Sequence, residues 1–280
     1  MIKKIAVIGG DKRSLFAARE LMLRGIEVEL AGFDNLLSYG ELVLKDTKDA
    51  LTGADAVLLP ITGVKNGVVN CPFSDENIVI EDNMLCDKLV FTGRTDYIKC
   101  GKLFNIAARD DFKTANALPT AEGAVQVAME SYESVIHGSR CLVIGYGRIG
   151  SCLSSLLKAL DADVTVSTRS GGDKVKSIPD CFNIIYTEKL QSLDGYDIVF
   201  NTADKLIVTA DILGKTADDP LIIDLASLPG GVDFDAAEKL GFTAIRALAL
   251  PGKCSPAAAG RIISDIILNI LQKEESYCQT

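Results

Sequence analysis

Arg140-Cys141-Leu142-Val143-Ile144-Gly145-Tyr146-Gly147-Arg148-Ile149-Gly150 is the stretch from which the fold follows. Cys141 to Ile144 form the unbroken apolar run of a strand buried on both faces. Gly145 to Gly150 reads G-x-G-x-x-G, and beyond it Leu153, Leu156, Leu157 and Leu160 recur at helical spacing. Strand, glycine turn and helix open a dinucleotide-binding unit. Gly145 makes the tight turn, Gly147 leaves room for a pyrophosphate, and Gly150 lets the helix sit close to the strand. The helix start, with Arg148 and Ile149 in its first turn, offers unpaired N–H groups to phosphate. An ordinary βα turn has the same look in isolation, but here a second strand begins at Asp163, about 20 residues on, as the fingerprint requires.

That second strand ends Val166-Ser167-Thr168-Arg169-Ser170. A unit built for NAD places an Asp or Glu at this point to hold the ribose hydroxyls, whereas a 2'-phosphate needs a cation and small donors. No acid follows the strand. Arg169 can fork onto the phosphate while Thr168 and Ser170 donate hydroxyls, which favours NADP. The alternative for Arg169 is a solvated loop arginine.

At 280 residues and 48% hydrophobic content, the chain is long and apolar enough for two domains. Its net charge of -9 repels polyanions, so neither nucleic acid nor an anionic membrane is an expected partner. The eight cysteines lie singly without a C-x-x-C pair and there is one histidine, so no metal site and no disulfide scaffold is expected. No apolar run approaches the ~18 residues of a membrane span. Met1-Ile2-Lys3-Lys4 leads into a short segment that meets Gly9 and Asp11 too early for a signal peptide, so a cytoplasmic protein is expected.

The chain opens with a second strand–glycine–helix pattern: Ile5 to Ile8, then Gly9-Gly10-Asp11, then Leu15, Ala18, Leu21 and Met22. Val28–Ala31, Ala56–Leu59, Leu89–Phe91 and Leu103–Ile106 are further short apolar segments and suggest a first parallel sheet. The opening turn lacks the third glycine, so it fits a small anion held by the helix start and Arg13 better than a dinucleotide. Lys12 and Arg13 as plain solvation of that helix is the competing reading. Leu118-Pro119-Thr120-Ala121-Glu122-Gly123 marks a boundary, with Thr120 as N-cap of a helix whose small residues suit close packing. Asp163–Ser167, Asn183–Tyr186, Ile198–Asn201, Leu221–Leu225 and Thr243–Arg246 then form a second sheet. Ser255-Pro256 starts a last helix whose Ile262, Ile263, Ile266, Ile267, Ile270 and Leu271 stripe must be buried.

The fold class is therefore α/β, with two Rossmann-like, doubly wound parallel-sheet domains joined by two bridging helices. Residues 1–118, completed by helix 255–280, form the substrate domain; residues 119–254 form the NAD(P)-binding domain. A cleft between them would receive the ligands, at the carboxyl ends of the strands. Thr202 and Ala203 in Asn201-Thr202-Ala203, and Ala226 and Ser227 in Asp224-Leu225-Ala226-Ser227, follow strands at that end and are candidates for the nicotinamide half. His137 precedes the strand at Cys141 and so lies at the opposite end, which argues for a structural role.

Ala6-Val7-Ile8-Gly9-Gly10-Asp11, Leu118-Pro119-Thr120 with Glu122-Gly123, Ile136-His137-Gly138-Ser139, Asp224-Leu225-Ala226-Ser227 with Pro229-Gly230-Gly231-Val232-Asp233-Phe234, and Leu250-Pro251-Gly252 together resemble the A-subunit family of dipicolinate synthase over nearly the whole chain. The resemblance implies an enzyme of the mother cell of a spore-forming bacterium. It would oxidise dihydrodipicolinate to dipicolinate with NADP, acting with a separate, flavoprotein-like B-subunit of dipicolinate synthase. For holding the dicarboxylate, the candidates are the Gly9-Gly10-Asp11 turn with Arg13, plus Thr120. Asp11 or Glu122 could take the proton, although Glu122 also fits as a helix-dipole residue. Two other classes stay open: an alanine-dehydrogenase-like enzyme, from Asp224-Leu225-Ala226 followed by Gly230-Gly231, and a non-catalytic nucleotide-binding protein. A 2-hydroxyacid dehydrogenase would need a histidine in the late cofactor domain, and none follows His137. The chain is also compatible with a homo-oligomer.

Overall fold

Two six-stranded parallel sheets with the same strand order account for the chain in the computed structural model, which describes residues 2–36, 40–94, 98–99, 101–170 and 177–278, with side chains through 274. The chain divides into two compact units, Met1–Asn116 with Ser255–Thr280, and Ala117–Cys254.

The first unit runs β1 (Lys4–Ile8), α1 (Lys12–Leu23), β2 (Glu27–Ala31), β3 (Val43–Leu44), α2 (Thr47–Leu51), β4 (Ala56–Leu58), a small hairpin of β5 (Val64–Lys65) and β6 (Val68–Val69), β7 (Leu89–Thr92), β8 (Lys102–Asn105) and α3 (Asp110–Ala115). The second runs α4 (Ala117–Ser131), β9 (Arg140–Ile144), α5 (Arg148–Ala159), β10 (Asp163–Thr168), β11 (Asn183–Tyr186), β12 (Ile198–Asn201), α6 (Ala210–Lys215), β13 (Leu221–Asp224), α7 (Phe234–Leu240), β14 (Ala244–Arg246) and α8 (Leu250–Cys254). The final helix, α9 (Pro256–Cys278), belongs to the first unit.

The sheets are ordered β3-β2-β1-β4-β7-β8 and β11-β10-β9-β12-β13-β14. Each is the 3-2-1-4-5-6 order of a doubly wound dinucleotide fold, whose order reverses beside its first strand. That reversal opens a crevice at the carboxyl end, beside β1 in one unit and β9 in the other.

The central strands are apolar throughout because helices or loops cover both faces. Ile5, Ala6, Val7 and Ile8 are fully buried, as are Cys141, Leu142, Val143 and Ile144. Alternate side chains feed separate clusters: Ile5 and Val7 join one core, Ala6 and Ile8 the other, and β9 divides in the same way. Helix α9 sends Ile263, Ile266, Ile267, Ile270 and Leu271 into the Ile5–Val7 core. Burying these five contributes on the order of 10 kcal/mol before chain entropy is charged against it. A side chain at Gly260 would collide with Phe16 and the Arg13 carbonyl, so α1 and α9 approach at backbone distance.

One helix boundary differs from the sequence reading. Helix α4 starts at Ala117, placing Pro119 in the first turn, where its missing N–H has no intrahelical partner to lose. Thr120 is therefore not an N-cap; it lies inside the helix and is buried.

Candidate nucleotide-binding site

The turn after β9 is held from both sides. Gly145 has φ of 97°, a left-handed conformation that favours glycine, and a Cβ there would lie 2.6 Å from Thr202 Oγ1. Thr202 donates its hydroxyl to the Ile144 carbonyl at 2.9 Å, which braces the turn from the end of β12. A Cβ on Gly150 would collide with the Gly145 carbonyl oxygen, so the close approach of α5 to the turn depends on this glycine. Gly147 is different: it is the N-cap of α5, in extended conformation, and a Cβ there meets nothing within 4 Å. No side chain caps the helix. A helix start of this kind, uncapped by a side chain and begun by a glycine, is the arrangement that accepts a pyrophosphate. Arg148 is exposed, and Ile149 packs its side chain on the core behind.

Beneath the next two loops lies a polar network with no exposed atoms to spare. Asn201 and Asp224, ending β12 and β13, are fully buried. Asn201 Nδ2 donates to Asp224 Oδ1 at 2.7 Å and to the Ala203 carbonyl at 2.9 Å. Asp224 also accepts the N–H groups of Ala226 at 3.1 Å and Gly231 at 3.0 Å. The backbone around Ala203 and Ala226 is therefore held by side chains that do not themselves reach the surface, while Ser227 is exposed.

At the end of β10, Thr168 is half-buried and Arg169 and Ser170 are exposed. Contrary to the expectation from β10 alone, an acid does stand here. The chain turns sharply at 187–189 after β11 and brings Glu188 to this loop, where its carboxylate accepts the Ser170 N–H at 3.2 and 3.4 Å. Its own backbone N–H and that of Ser170, with the Arg169 charge adding last, hold this carboxyl below its ordinary range. No pattern along β10 could reveal it, because the acid arrives from the neighbouring strand.

The first glycine turn is closed. Gly9 N–H donates to the Ala31 carbonyl at 2.8 Å and Gly10 N–H to the Asn70 carbonyl at 2.7 Å. The segment after β6 lies directly on the turn: a Cβ at Gly9 would sit 2.5 Å from Cys71 Sγ and 2.8 Å from Val69. Burial first, then the Asp34 charge, push the Cys71 thiol up to about 11, so this corner resists added negative charge. Asp11 caps α1 by accepting the Arg13 N–H at 2.9 Å, and its carboxylate also takes the Arg13 guanidinium at 2.7 to 3.1 Å. Burial alone would raise the Asp11 carboxyl; the Arg13 bonds and charge reverse this and hold it below its usual value. Asp11 and Arg13, the residues assigned from sequence to the substrate dicarboxylate, thus pair with each other in this turn. The two-residue strands of the covering hairpin are too short to give a periodic signal in sequence.

Glu122 is exposed on α4. His137 is exposed ahead of β9, with Nδ1 3.8 Å from Asp161 Oδ2, at the amino end of the sheet and away from the glycine turn that follows β9. Among the described residues no group of three or more His, Cys, Asp or Glu side chains is placed to hold a metal ion, and no helix is long and apolar enough to cross a membrane.

Two sheets in the doubly wound order, one with an open G-x-G-x-x-G turn, define a protein with the fold of the nicotinamide-nucleotide dehydrogenases. Comparison with known proteins narrows this. The family described as the N-terminal domain of the dipicolinate synthase A-subunit matches residues 4–101. The dipicolinate synthase A-subunit of Bacillus subtilis (strain 168) is 33% identical over 283 residues, covering 96% of this chain and 95% of that protein. The crystal structure of the dipicolinate synthase A-subunit from Bacillus halodurans superposes with a TM-score of 0.84 at 32% identity, over 96% of this chain and 97% of that one. The chain belongs to the A-subunit family of dipicolinate synthase. The transhydrogenase of Sinorhizobium meliloti, at 15% identity and a TM-score of 0.68 over 96% of this chain and 94% of that one, shares the fold.

Proposed function

We propose that this chain is an oxidoreductase component that converts dihydrodipicolinate to dipicolinate with NADP, together with the B-subunit of dipicolinate synthase, in the mother cell of a spore-forming bacterium. The observation that carries the reading is the start of α5 at Gly147, which no side chain caps and where a Cβ would meet nothing within 4 Å. The family's name supplies the reaction product and the expectation of a second component.

The substrate would lose a hydride and a proton as its ring becomes aromatic. When bound, the nicotinamide supplies the hydride acceptor; the protein aligns the rings and takes the proton. The α5 N–H groups would hold the pyrophosphate, Thr202 keeps the turn in shape, and Arg169 would meet the 2'-phosphate. The Asn201–Asp224 network fixes the loops bearing Ala203, Ala226 and Ser227 against the nicotinamide half. Of the four residues assigned to substrate chemistry, Asp11 and Arg13 bind each other, Thr120 is buried and Glu122 is exposed, so the proton acceptor in this reading is Glu122.

Titration of the purified chain with both nucleotides tests the cofactor. NADP should bind more tightly than NAD, and Arg169→Ala should weaken NADP about tenfold while changing NAD less than about twofold. Added salt should narrow the difference by screening an exposed pair. An equal loss for both nucleotides removes Arg169 from phosphate recognition. Assay of dihydrodipicolinate oxidation with and without the B-subunit tests the reaction and the partnership, and no turnover in either mixture would refute the enzyme reading.

A further inference from the structure

The loop that reads the adenosine ribose carries an opposing charge. Strands β10 and β11 run side by side with Thr168 opposite Tyr186, and the turn beyond β11 is fastened to the end of β10 by a 2.9 Å contact between the hydroxyls of Ser167 and Thr187. This fastening delivers Glu188 to the Ser170 N–H. Lys189, the cation next to it, is drawn over the Tyr186 ring at 5.6 Å from the centroid. At the end of β10, Arg169 thus stands beside a backbone donor, the Ser170 N–H, that a carboxylate already occupies.

We propose that Glu188 is a specificity-determining residue: its carboxylate takes the place of the adenosine 2'-phosphate at Ser170 and Arg169, and so limits the preference for NADP over NAD. The inference rests on the reading that the nucleotide's ribose lies at this loop. A 2'-phosphate and the carboxylate are both anions seeking the same N–H, and they cannot share it. NADP therefore binds only after Glu188 swings away, which an exposed side chain can do. NAD imposes no such displacement, because a ribose hydroxyl can donate to the carboxylate where it stands. Arg169 and Glu188 accordingly act in opposite directions on one ratio. Neither residue is buried, so substituting them leaves the core untouched.

Titration of the full chain and its Glu188→Gln, Glu188→Ala and Arg169→Ala variants with NADP, NAD, adenosine 2'-monophosphate and adenosine 5'-monophosphate tests the proposal. Both Glu188 variants should bind NADP and the 2'-monophosphate about three- to tenfold more tightly at low salt, while NAD and the 5'-monophosphate hold steady or weaken. An NADP-to-NAD ratio that stays fixed or moves toward NAD overturns the role of Glu188. If Arg169→Ala lowers the ratio and the Glu188 variants leave it unchanged, only this inference falls. If the unsubstituted chain binds neither nucleotide, the cofactor reading falls and takes this one with it.

Discussion

The two units place the same six positions of a strand–turn–helix in register and fill them oppositely. Gly9 matches Gly145, but Gly10, Asp11, Arg13 and Ser14 stand where the second unit has Tyr146, Gly147, Ile149 and Gly150. At the third position the first unit places a carboxylate that caps its own helix and binds Arg13; the second places a hydrogen atom. The first turn is further covered by Val69, Asn70 and Cys71. Ser14 is accommodated only because Gly10 opposite it has no side chain: a Cβ at Gly10 would strike the Ser14 hydroxyl. An identical sheet order thus yields one helix end capped by its own side chain and one that no side chain caps. In this fold a site arises where side chains are withheld.

The strongest test imports the first unit's solution into the second. Gly147→Asp places a carboxylate at the uncapped start of α5, in extended backbone that any residue adopts and in space that a Cβ does not contest. The fold should survive, with Tm unchanged or slightly raised by the new cap. Nucleotide affinity should fall by about three orders of magnitude, because the carboxylate occupies the pyrophosphate position and opposes its charge. Calorimetric titration with NADP reads the loss. Retention of wild-type affinity would show that the pyrophosphate does not lie at this helix.

A smaller effect is expected from Gly150→Ser, which copies the first unit's Ser14. Here the new Cβ runs into the Gly145 carbonyl, a backbone atom that cannot rotate aside. Overpacking of this kind costs about 1–3 kcal/mol, measurable as a lower urea midpoint with an unchanged slope. If stability is unaffected, the turn is more adaptable than the collision implies.

What the sequence disclosed follows from signal length. Runs such as Ile5–Ile8, Cys141–Ile144 and Ile198–Asn201 are long and apolar enough to be read as buried strands, and the Ile262–Leu271 stripe announced a packed helix. Gly145 and Gly150 were legible because each answers a separate steric demand. The two-residue strands β3, β5 and β6 carry no period, so the segment that closes the first turn was invisible. Glu188 escaped for a different reason: it meets Ser170 through strand pairing, 18 positions away in sequence. Thr120 was misread because a proline stands equally well just before a helix or within its first turn.

The mildest perturbation separates the two tasks that Asp11 performs for the first turn. Asparagine caps a helix about as well as aspartate, so Asp11→Asn should keep the bond to the Arg13 N–H and lose the attraction to the guanidinium. Part of the carboxylate faces solvent, which weakens that attraction, and the expected loss is about 1 kcal/mol. The pH dependence identifies the cause. Arg13 holds the folded-state Asp11 carboxyl below its ordinary range against the opposing effect of burial. Its contribution is therefore complete above the unfolded pKa and disappears as pH falls through the lower folded value. The stability gap between the wild type and Asp11→Asn, followed by thermal unfolding, should stay constant from about pH 7 to about pH 5 and close in stronger acid. A gap that persists unchanged at low pH would mean that the hydrogen-bond geometry of Asp11, and not its charge, keeps this helix end satisfied.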